Sequence, residues 1–124
     1  MATIKSYADL QQSKKLAEIL PLESADMGWY YSRNPQAARN QMWVGTKAQN
    51  ADIPCWSLAA LLSVLPLFIE FKGNKYYLRF MKDYVEYAND EISITGRCLH
   101  TIGNNNLIDA CVDMILKLHE SNLL

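Results

Sequence analysis

The stretch Ile53-Pro54-Cys55-Trp56-Ser57-Leu58-Ala59-Ala60-Leu61-Leu62-Ser63-Val64-Leu65-Pro66 decides the fold class. It is apolar almost all round, with a proline near each end. A helix without a polar face must be buried or docked on something apolar. At 1.5 Å per residue it spans roughly 20 Å, enough to cross a small domain but short of the ~30 Å of a bilayer core. The reading is a central helix from Ile53 to Leu65, with Asp52 as its cap and Pro54 in its first turn.

Upstream, Ser6 is a candidate N-cap with Asp9 three residues on. Leu10, Ser13, Leu16, Ala17 and Leu20 then form one helical stripe, and Pro21 ends the helix. Met27-Gly28-Trp29-Tyr30-Tyr31 suits a strand, because aromatics favour half-buried pleated surfaces. Ser32 to Asp52 is a polar connection. Pro35 starts a short helix in it that runs through Gln41.

Downstream the period changes from 3.6 to 2. Leu67 to Phe71 and Tyr76 to Phe80 read as a hairpin closed by a Gly73-Asn74 type II′ turn. That register sets Phe71 opposite Tyr76, Ile69 opposite Leu78 and Leu67 opposite Phe80, all six on one core face. Strands at Tyr84–Tyr87, Ile92–Thr95 and Cys98–Ile102 follow. A last helix starts at the cap Asn106. Its polar stripe is Asp109, Asp113, Lys117 and Glu120, and the rest of it is apolar. The expected fold is therefore a single α+β domain over residues 1–124. An antiparallel β-meander packs against a central apolar helix and a C-terminal helix, with an amphipathic helix at the N-terminus.

The chain has 124 residues, half of them hydrophobic, which is ample for one core. Twelve basic and 13 acidic residues give a net charge of -1. That argues against binding nucleic acid through bulk charge, since such domains carry a basic excess. Met1 to Lys15 contains no apolar h-region and no run is long enough to span a bilayer, so the expectation is a cytoplasmic protein without a membrane partner. Three irregularly spaced cysteines suit free thiols in a reducing compartment. No Gly-rich phosphate loop and no metal or hydrolase motif is present. No cofactor and no metal are expected.

Several constellations bear on function. Trp29, Tyr31, Trp43 and Trp56 are large rings for a small protein, and they serve either the core or a binding patch. Lys75, Tyr77, Arg79 and Lys82 interleave basic and aromatic side chains, as a stacking surface for single-stranded nucleic acid would. The acidic stretch Asp83 to Thr95 that follows can neutralise them across strands. Cys98 and His100 would share a strand face, which admits a thiol or hydrolytic enzyme. Cys55 and Cys111 fall on apolar stretches, where inert thiols sit. Glu23, Ser24 and Asp26 suit turn or capping duty.

Three blocks, Leu20 to Met27, Pro54 to Pro66 and Asp109 to Leu124, resemble those of small uncharacterised proteins from gut Bacteroides-type bacteria and their phages or mobile elements. The resemblance covers less than a third of the chain and carries no catalytic motif. It implies a bacterial or phage cytoplasmic setting. The function expected is a non-catalytic accessory or protein-binding module, as a homo-oligomer or with a protein partner. The alternatives are a nucleic-acid binder using strand 76–82 and an enzyme around Cys98 and His100.

Overall fold

A computed structural model describes residues 5–32, 42–46, 50–92 and 97–124. Among them, three α-helices and two antiparallel sheets, of three and four strands, make an α+β fold. The residues group into two compact units, Ser6–Ala60 and Met1–Lys5 with Leu61–Leu124.

In the unit Ser6–Ala60, helix α1 spans Leu10–Ala17. Its cap is Asp9, not Ser6. The Asp9 carboxylate accepts from the Gln12 N–H at 2.8 Å, and the Gln12 side chain accepts from the Asp9 N–H at 3.0 Å. This is the reciprocal capping box, and Gln at the third position completes it better than Asp9 could serve Ser6. Ser13 and Leu16 are buried, whereas Ala17 of the expected stripe is exposed. Strands β1 (Met27–Tyr31), β2 (Met42–Gly45) and β3 (Ile53–Cys55) form a sheet in the order β2-β1-β3.

Strand β3 corrects the central-helix reading. Ile53, Pro54 and Cys55 are extended and pair with Trp29, Gly28 and Met27. Pro54 sits on an edge strand, where a missing N–H is tolerated. Asp52 caps no helix; its carboxylate accepts from the Tyr31 N–H at 2.7 Å. Helix α2 is only Leu58–Val64. Ser57 starts it: its Oγ accepts from the Ala60 N–H at 3.2 Å. Asp26 in turn accepts from the Ser57 N–H and hydroxyl. Short apolar runs do not separate a buried strand from a buried helix, and here both follow one another.

The second unit is the meander β4 (Phe68–Phe71), β5 (Asn74–Met81), β6 (Tyr84–Ala88) and β7 (Cys98–Gly103), paired in that order. The hairpin turn differs from expectation. Phe71 pairs with Asn74 and Ile69 with Tyr76, so Lys72 and Gly73 form the two-residue loop. Their φ values, 52° and 81°, are those of a type I′ turn, which needs both central residues at positive φ. The pairing moves by two positions, so each side chain keeps its face. The expected core face is nevertheless only partly buried. Ile69 and Tyr76 are buried and Leu78 is half-buried, while Leu67, Phe71 and Phe80 are exposed.

Helix α3 (Leu107–Glu120) covers β6 and β7. Asn106 caps it, accepting from the Asp109 N–H at 2.9 Å. Asn122 at φ 59° closes its C-terminus: the Leu123 N–H donates to the Leu118 carbonyl at 2.8 Å and the Asn122 N–H to that of His119 at 3.1 Å. Ile108, Ala110, Cys111, Val112, Met114, Ile115 and Leu118 are buried, as are Val85 and Tyr87 of β6. Asp113 accepts from the Asn104 side-chain amide at 2.7 Å. The helix expected at Pro35–Gln41 and most of the strand expected at Ile92–Thr95 lie outside the described residues.

Candidate functional site

The four rings read as one patch are divided by the fold. Trp56 is fully buried, its Nε1 donating to Ser24 Oγ at 2.9 Å. Trp29 is half-buried: its Nε1 donates to Ser13 Oγ at 3.1 Å, and its ring meets Tyr7 edge-on at 5.9 Å. Tyr31 shares that face of β1 and is exposed. Trp43, 54% exposed, lies on the opposite face, stacked on Tyr30 at 4.7 Å. A Cβ on Gly45 would stand 3.1 Å from the Trp43 ring and 3.2 Å from that of Tyr30, so a side chain there would press on the stack. Trp43 and Tyr31 are thus exposed on opposite sides of one small sheet. Ser24 and Asp26 have the structural duties the sequence suggested.

The face of the meander opposite α3 gathers more. Strand alternation places Lys75, Tyr77 and Arg79 of β5 in one row there, beside Phe68 of β4 and Glu86 of β6. Lys82 lies in the turn between β5 and β6, off that row. Phe68 and Tyr77 are exposed, with ring centroids 5.9 Å apart, and Lys75 Nζ stands 4.8 Å from the Phe68 centroid. An open groove of about 640 Å³ runs past Gly73, Lys75, Tyr77, Arg79, Asn89 and Asp90.

The charges on this face are spent on one another. Arg79 donates to Glu86 Oε1 from Nε at 3.2 Å and from Nη2 at 2.9 Å. It also reaches both oxygens of Asp90 at 3.0 Å. Arg97 meets Asp90 at 3.2 Å, and Lys75 stands 3.9 Å from Glu70. The Glu86 bond stabilises the charged guanidinium and raises the Arg79 pKa. The expected cross-strand neutralisation is therefore present.

The thiol–imidazole pair is not. β7 carries a bulge: His100 pairs with Tyr87 and Cys98 with Ala88, so Leu99 is extra. The bulge moves the two side chains to opposite faces. Cys98 contacts Glu86 Oε2 at 3.5 Å, alongside Thr101 at 3.3 Å. His100 sits on the α3 side, where burial and Lys117 lower its pKa. Its buried Nε2 has no hydrogen-bond partner among the described residues. Burial raises the Cys55 thiol and pushes that of Cys111 up to about 12, which suppresses the nucleophilic thiolate at neutral pH. Among the described residues no group of three or more His, Cys, Asp or Glu side chains could hold a metal, and no helix is long and apolar enough to cross a membrane.

The residues the sequence reading passed over are Leu67, Phe68, Phe71, Phe80 and Met81, all exposed. Leu67 stands at 73% exposure. A signal existed. Leu67-Phe68-Ile69, Tyr76-Tyr77-Leu78 and Phe80-Met81 are consecutive apolar runs, and a strand cannot point them all inward. Comparison with protein-family models, curated proteins and solved structures gives no match.

Proposed function

We propose that the chain is a non-catalytic protein-binding module of a bacterial or phage cytoplasm, with the β4–β5 hairpin as its contact surface. One observation carries this reading: the hairpin exposes large apolar side chains on both faces. Phe68, Tyr77 and Met81 lie on one, Leu67, Phe71 and Phe80 on the other. Contiguous exposed apolar surface on a small domain marks a contact with another chain. The paired charges beside it suit the mixed-charge rim of a protein interface.

Nucleic-acid binding is the second reading, favoured by the row Lys75, Tyr77 and Arg79. It is the weaker one, because a phosphate would have to displace Glu86 and Asp90 from Arg79. A photo-crosslinking residue at Tyr77, compared with one at the exposed Glu120 on α3, tests both. The expected result is protein adducts at position 77 only. Equal labelling at the two positions, or tight salt-dependent binding of a single-stranded oligonucleotide, would count against the module.

A further inference from the structure

Among the described residues no strand pairs with the outer edge of β4, and the geometry of that edge selects a partner. In β4 the residues alternate in the direction of their backbone groups. Phe71 and Asn74 flank the two-residue loop and so exchange hydrogen bonds. Two residues on, Ile69 does the same with Tyr76, and the Leu78 N–H donates to the Leu67 carbonyl at 3.0 Å. The N–H and C=O groups of Phe68 and Glu70 therefore point away from β5. No other described strand pairs there. The opposite edge, β7, is guarded by its bulge, one of the devices that prevent strands from adding. β4 has no bulge and no lysine within the strand.

We infer that β4 pairs antiparallel with β4 of a second copy of this chain, about a twofold axis at Ile69. This rests on the binding-module reading and names its partner. Three registers would place outward backbone groups opposite one another. Glu70 against Glu70 opposes like charges, which is unfavourable. Phe68 against Phe68 sets Glu70 opposite Pro66, which has no N–H and whose carbonyl already accepts from the Tyr87 hydroxyl at 2.7 Å. The remaining register sets Phe68 against Glu70 of the second copy and Glu70 against its Phe68. Both outward pairs then close, each exchanging two N–H···O bonds.

The side chains agree with that register. On the α3 side, Ile69 meets Ile69 and each exposed Leu67 meets an exposed Phe71, so the apolar surface α3 leaves uncovered is covered by its own counterpart. On the other side each Glu70 lies beside a Phe68 ring that carries Lys75 at 4.8 Å. Opposite charges are thus brought together twice across the axis.

The test is sedimentation of the whole chain over a range of concentrations. The expectation is a dimer at about 100 µM, as suits an interface below ~1,200 Å². Glu70→Pro removes an outward N–H but no bond to β5, a place where an edge strand accepts proline. It should leave the near-UV circular dichroism unchanged and weaken the dimer at least about tenfold. Leu67→Lys, a surface change in the monomer, should do the same by placing a charge on Phe71. Amide exchange at Phe68 and Glu70 should slow as the wild-type concentration rises. A wild-type monomer throughout, or a dimer that survives both substitutions, overturns the inference. Adducts from Tyr77 to a different protein in that case leave the module reading intact, whereas adducts between two copies support both. A monomer with no adducts at Tyr77 refutes both.

Discussion

The β6–β7 half of the meander and its β4–β5 half follow the same alternation and meet different fates. On the α3 side, Val85 and Tyr87 of β6 are fully buried under the helix. Along β4 and β5 that same face is divided: Ile69 and Tyr76 are buried, while Phe71, Phe80 and Leu67, just before β4, are exposed. The sheet is wider than the helix that covers it. Alternation decides which side a residue faces, and the covering element decides whether that side is dry.

The largest expected effect separates the halves directly. Ile115→Ala, on the buried face of α3, should cost about 2–5 kcal/mol in denaturant unfolding, while Leu67→Ala in dilute protein should stay within about 0.5 kcal/mol. Equal costs would mean that the two halves are equally covered. Removing the helix cap with Asn106→Ala should cost about 1 kcal/mol, and the loss should appear as earlier amide exchange in α3 and β6 before β4. Stability should rise by roughly 0.5–1 kcal/mol in Lys72→Gly, because lysine is costly at positive φ and glycine is not. A destabilised Lys72→Gly would argue that the I′ turn is misassigned.

The smallest signal expected is a pH dependence confined to the covered half. The folded His100 pKa lies below its ordinary value, through burial first and Lys117 second. The unfolded chain therefore takes up a proton at higher pH than the folded one. Stability from this site is complete above about 6.5, the unfolded value, and is lost as pH falls through the folded value. His100→Gln should flatten that limb of the stability–pH curve, and an unchanged curve would exclude His100 as its source.

These contrasts also mark what was legible in the sequence. Helix α3 was readable from its cap to its polar stripe, because fourteen residues repeat one pattern. The faces of the hairpin strands were readable, because strand parity survives a shift of two. The turn was not: Lys72 at φ 52° is a poor fit to its site, and Gly73-Asn74 offered a better local solution. The overlong central helix failed where three apolar residues, Ile53 to Cys55, were equally good as a strand. β2 was missed because Met42 to Gly45 is four residues inside a polar stretch. The candidate site was half legible. The charge pairing of Arg79 could be foreseen from the sequence of signs. Which rings stay exposed could not, since that depends on where α3 ends and on partners such as Ser13 and Ser24, distant in the chain.

The extra residue at Leu99 has a consequence for growth. A sheet with two open edges can add chain after chain and become a fibre. Among the described residues the meander has one edge without a partner strand and one that the bulge spoils. Addition about a twofold axis consumes the free edge of both members, and what remains on the outside at either end is β7. The inferred pairing, once made, would therefore stop assembly through this sheet at two. A deletion of Leu99 that straightened β7 would open the second edge, and turn a terminating contact into a propagating one.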